Sequence, residues 1–173
     1  MGAGTPFNTL DFFNAADINL GVTTGDPTAI LDLYRFIKPA VIRKALSSFL
    51  SYDKISSVVR KRNICSINEL LSIAEEYGID KKEAIEKSID SFCPSIIFNQ
   101  VDPNPRFSRK QALLASYLGV SKLTLLGRIP EDIALLSSVK AYHPVTSLTP
   151  TSRSARALEL ICNNLLKQIN KIV

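Results

Sequence analysis

The sequence predicts an α/β fold, an incomplete doubly wound and mainly parallel sheet flanked by helices, and three observations predict it. Residues 17–24 alternate Ile18, Leu20 and Val22 with Asn19, Gly21 and Thr23, the period of a strand with one buried face. Two short apolar runs, Ile96-Ile97-Phe98 and Leu123 to Gly127, read as strands buried on both faces, which is the habit of parallel sheets. Each of the three passes through a polar turn into a helical pattern, and that alternation is βα architecture.

Taken in order, the chain opens on a glycine turn, Gly2-Ala3-Gly4-Thr5, of the kind that presents backbone N–H groups to phosphate. No strand stands before it, so the chain is expected to begin partway through a fold. A short helix should follow, with Asn8 as N-cap, Asp11 at its third position, Phe7 and Phe12 at staple spacing, and an end near Ala16. Asp26 followed by Pro27 marks the next helix start, and Ile30, Leu33, Tyr34, Ile37 and Val41 mark its inner face. Pro39 falls inside that pattern, so a kink or a break is expected there.

Residues 43–93 read as a helical insertion. Ser66 and Glu69 form a capping box, Leu70, Ile73, Ala74 and Tyr77 an apolar stripe, and Gly78 a stop. Asp80 and Glu83 begin a further helix with Ile85, Ile89 and Phe92 inward. Beyond the strand at 96–98, Phe107 to Gly119 reads as a helix. Gly127-Arg128-Ile129-Pro130-Glu131-Asp132 is a turn that starts another helix with acidic residues in its first turn. The last helix, Thr151 to Val173, carries Leu158, Ile161, Leu165, Ile169 and Ile172.

Composition narrows the class. With 173 residues, 46% of them hydrophobic and 21% charged, one domain with a real core is expected. The sequence has no membrane-spanning apolar run and no leader pattern at its start, so a cytoplasmic location is expected. Cys65, Cys93 and Cys162 are far apart and His143 is the single histidine, so neither a metal site nor a catalytic residue is assigned. Lys38, Arg43, Lys44, Lys54, Arg60, Lys61 and Arg62 share a stretch whose one acid is Asp53. That run is either a solvated helix face or a patch for DNA phosphates or an anionic membrane surface.

GAGT followed by FNTLDFF, then AADINLGVTTGDPTAILDLYRFIK, resembles the switch region and following βα unit of the MinD/ParA-type P-loop ATPases, in particular their FlhG-like and Mrp-like branches. The strand ending in Asn99 and the GRIPED turn extend the resemblance, while the 43–93 interval corresponds to a variable part of the family. The resemblance implies a P-loop NTPase-like fold, ATP and Mg²⁺ as cofactors, and a homodimer or a complementary N-terminal half as partner. It assigns Asn99 to the adenine edge, whose adjacent donor and acceptor a carboxamide matches. It places Pro130, Glu131 and Asp132 beside the adenine, and Gly2, Ala3, Gly4 and Thr5 at the phosphate-side switch. From position alone, Asn99 could equally cap the loop that follows it.

No G-x-x-x-x-G-K-[ST] loop occurs in the sequence, although a P-loop ATPase needs one to grip the triphosphate and Mg²⁺. The resemblance therefore implies that residues 1–173 are one partial nucleotide-binding domain, the carboxyl-terminal half of an ATPase used in cellular positioning or partitioning. Such a half is not expected to hydrolyse ATP alone, and it should show an exposed parallel edge and an uncovered apolar surface. A location peripheral to the inner face of the membrane is compatible with it. The alternative is a non-catalytic α/β module that binds a protein, DNA or a membrane surface through the helical insertion and the basic stretch.

Overall fold

The computed structural model describes residues 7–51, 54–55, 57–58, 64, 67–76, 82–101 and 123–170. In chain order its elements are α1 (Phe7–Asn14), β1 (Leu20–Thr23), α2 (Pro27–Ser47), α3 (Ile67–Glu76), α4 (Lys82–Ser91), β2 (Ser95–Val101), β3 (Thr124–Pro130), α5 (Ile133–Lys140), α6 (Val145–Leu148) and α7 (Arg153–Ile169). The strands form one parallel sheet in the order β1-β2-β3. The expected α/β class and parallel sheet are thus present, with helices on both faces.

β2 assigns the faces. Its residues alternate between two cores, Ile96 and Phe98 joining α1, α2, α3 and α4 on one side, and Ile97 joining Leu126 of β3 and Ile161 of α7 on the other. The continuous apolar run expected of a doubly covered strand is therefore divided between two layers.

β1 faces opposite to the expectation. Gly21 and Thr23 are buried, while Leu20 is 40% and Val22 58% exposed. The reason is the closeness of α2: a Cβ on Gly21 would lie 2.9 Å from Leu33 Cδ1 and 3.1 Å from Ile96 Cδ1. Only a strand face without bulk fits beneath the helix, so the apolar residues turn outward. Among the described residues β1 pairs with β2 alone, so it is an edge strand with an uncovered apolar face.

α1 is held differently from the expectation too. It begins at Phe7, which puts Asn8 inside the helix, and Phe12 is exposed, so the cap and staple do not form as read. Leu10 and Phe13 point inward instead, with the Phe13 ring edge-on to Phe36 at 5.1 Å. Asp11 leaves the helix terminus to pair with buried Arg43.

α2 runs through Pro39 without a break. Proline there removes one backbone donor, but Ile37, Ala40, Val41, Ala45 and Leu46 are buried on both sides of it, so packing carries the helix through. The 43–93 insertion consequently starts inside a continuous helix. α3 and α4 pack with Leu70, Ile73, Ala74, Ile85, Ile89 and Phe92 into the same core as Phe98, so this interval covers one face of the sheet. Ser66, Tyr77, Gly78, Asp80, the 107–119 helix and Ile172 lie outside the described residues. Among the described residues no helix is long and apolar enough to cross a membrane.

Candidate functional site

In a parallel sheet the strands finish at one common edge, and there loops and helix N-termini converge. β1 delivers Thr23 and Thr24 to this edge, β2 delivers Asn99 and Gln100, and β3 delivers Pro130 to Asp132. Val101 stands opposite Pro130, and the Glu131 N–H donates to Val101 O at 3.3 Å. Asn99 and the 130–132 turn, well separated in sequence, therefore end side by side.

The end of β2 is irregular. The register shifts between Phe98 and Val101, so Asn99 and Gln100 together face a single position of β3, as in a bulge. Gln100 takes a left-handed backbone with φ 53, uncommon for a residue other than glycine. Asn99 Oδ1 accepts from the Gln100 N–H at 3.0 Å. Asn99 thus braces the bulge through its oxygen, and its carboxamide nitrogen is a donor of the kind an adenine edge accepts. Sequence reasoning missed Gln100, and nothing in an Asn-Gln dipeptide announces a bulge.

Asp132 has a different part. Its Oδ1 accepts from Ala134 N at 3.0 Å, capping α5, and its Oδ2 accepts from Ser154 N and Ser154 Oγ, each at 3.0 Å. The Ser154 N–H, the Ala134 N–H, the Ser154 hydroxyl and nearby Arg153 together hold its carboxyl below the ordinary value, against the smaller pull of desolvation. Both oxygens are thus engaged within the protein. Asp132 ties the turn after β3 to the start of α7, where Ser152 caps through its own bond from Ala155 N at 3.2 Å. Ser154 was not singled out from sequence, although Thr151-Ser152-Arg153-Ser154 is a recognisable helix start.

The turn after β1 closes on itself, Thr24 Oγ1 donating to Asp26 Oδ2 at 2.8 Å. Pro130 is half-buried and Glu131 exposed. Gly2, Ala3, Gly4 and Thr5 lie outside the described residues. Among the described residues no group of three or more His, Cys, Asp and Glu could hold a metal ion.

The basic stretch is not one face. Arg43 is buried and donates through Nε and Nη2 to the Asp11 carboxylate, the second bond at 2.9 Å. Lys38 Nζ donates to Tyr34 Oη at 3.0 Å and lies 5.4 Å from that ring, and Lys44 Nζ reaches Asn14 O at 3.4 Å. Arg60, Lys61 and Arg62 are outside the described residues. Neither a known family model nor a characterised relative matches this chain, so its functional reading rests on the residues and their geometry.

Proposed function

We propose that the carboxyl ends of β2 and β3 form the base-holding side of an adenine-nucleotide pocket, within the carboxyl-terminal portion of a MinD/ParA-like ATP-binding domain. One observation carries this reading: Val101 opposite Pro130 brings the strand-end carboxamide and the Pro130–Asp132 turn to a single edge, Gly127 to Pro130 being strand rather than the turn their sequence suggests. Asn99 Nδ2 donates to a ring nitrogen, and Pro130 lays an apolar ring against the base. Glu131 borders the site, and Asp132 contributes indirectly by fixing the turn that carries Pro130. The triphosphate and Mg²⁺ belong toward Gly2–Thr5, and the bound ion would supply neutralisation of phosphate charge. The chain alone is not assigned ATP hydrolysis. Turnover would require a phosphate-gripping half from a partner, and a role in positioning or partitioning rests on the resemblance alone.

ATP titrated into the chain, followed by amide chemical shifts and calorimetry, tests the reading. Saturable shifts at residues 99–101 and 130–132 are expected. Asn99→Ala should weaken binding about tenfold, the effect of losing a hydrogen bond worth roughly 1.4 kcal/mol. Binding that leaves those residues unmoved, or no binding, would sink it. Hydrolysis restored by adding a separately expressed phosphate-loop half would extend it.

A further inference from the structure

Helix α5, IALLSSVK, is largely apolar all round, the composition of an element covered on every side. Among the described residues it is covered on one only. Ser138 is buried and Ala134 and Leu135 are half-buried, where the helix packs beside α6 and α7. On the other side Ile133 is 80%, Leu136 57% and Val139 67% exposed, and Tyr142, just past the helix, is 95% exposed. Tyr142 has φ 56, a backbone state that a bulky aromatic rarely takes. Spacings of three residues keep Ile133, Leu136 and Val139 along one side of a helix about 12 Å long.

Positive charge predominates along the segment that carries this strip. From Ile133 to Leu158 there is no Asp or Glu, while Lys140, Arg153 and Arg156 are exposed cations. Lys140 stands one turn beyond Leu136, at the carboxyl end of the strip. Arg153 lies near its amino end, because Ser154 is bonded to Asp132 just before the helix and Arg153 acts on the same carboxylate. The acids that bound this segment are Asp132, whose oxygens are engaged, Glu131, exposed ahead of the helix, and Glu159, exposed one turn beyond Arg156 on α7.

We propose that this face docks an acidic amphipathic helix of a protein partner. The partner's apolar residues, at helical spacing, cover Ile133, Leu136 and Val139, and its carboxylates meet Lys140 at one end and Arg153 and Arg156 at the other. Three cations fall short of the four to eight that hold a segment on anionic lipid. Pairing of the face with itself about a two-fold axis would bring like charges together.

The probe is a fluorescein-labelled 15-residue peptide with leucine along one helical face and glutamate on the other, titrated with the full chain and read by anisotropy. Saturable binding is expected. Leu136→Asp and Val139→Asp should each weaken it at least about tenfold, with the thermal midpoint unchanged because both side chains are exposed. Lys140→Glu combined with Arg156→Glu should weaken it comparably, and a peptide carrying lysine in place of glutamate should recover the loss. Absent binding, or binding indifferent to Leu136→Asp and Val139→Asp, overturns the proposal. So does tighter binding to phosphatidylserine–phosphatidylcholine vesicles than to the peptide, or a dimer in sedimentation that Val139→Asp dissolves.

Discussion

The two faces of the sheet are covered very unequally. On one, Ile96 and Phe98 sit in a continuous core that gathers residues from Leu10 to Val101, α1 to α4 among its sources. On the other, Ile97, Leu126 and Ile161 make a small cluster beneath α7, with Ile129 and Leu165 at its margin, and Leu20 and Val22 are exposed. The difference separates two tasks. Burial of apolar area is the main stabilising term, so the thick side holds the fold together while the thin side and its neighbouring edge stay accessible.

The sharpest way to break the comparison is to hollow out each side in turn. Phe98→Ala should cost about 3–5 kcal/mol, and Ile161→Ala about 2–3 kcal/mol, because the smaller cluster relaxes more easily around a void. Urea unfolding of both variants checks the order, and equal losses would mean that the thin side bears as much as the thick. Next in size is Asp11→Ala, which strands the buried Arg43 guanidinium on the thick side. Breaking a buried pair costs several kcal/mol, and because the Asp11 side chain is 36% exposed we expect about 2–3 kcal/mol.

Gly127→Ala probes the thin side from within β3. A Cβ there would overlap Ile161 Cγ1, so a loss of about 1–2 kcal/mol is expected, and Ile161→Val in the same chain should recover part of it. The smallest effect is electrostatic. The Asp132 carboxyl is held below the ordinary carboxyl value by its bonds from Ser154 and Ala134, so its contribution is present above the unfolded value and is lost as pH falls through the folded one. The denaturation midpoint of the wild type should therefore drop more steeply between pH 5 and pH 2, in round terms, than that of Asp132→Asn. Identical slopes would remove Asp132 from the bond between α5 and α7.

Much of this arrangement was legible in the sequence. The start of α2 at Asp26-Pro27, the inward faces of α3 and α4, the Ile96–Phe98 strand and the helix after Asp132 all followed from local patterns. What failed depended on a neighbour. Alternation in β1 identifies two faces, but which one is inner was decided by Leu33 of α2 resting on Gly21. Asp11 read as a helix-terminal acid because its partner, Arg43, is distant in sequence and looked like one more surface cation. For the candidate site, Asn99 and Pro130 could be named from the chain. Their adjacency needed the β2–β3 register, and the left-handed Gln100 carries no signature of its own.

The parallel pairing of Leu20 with Ser95 bears on how the molecule is made. Contacts so remote along the chain form slowly, because loop closure must precede any reward. During synthesis α1 and α2 can collapse together early, while β1 waits beside them until β2 has left the ribosome. In that interval the backbone N–H and C=O groups that β2 will later take stand open, and they are where a chaperone would gain most and where a stalled chain would begin to clump.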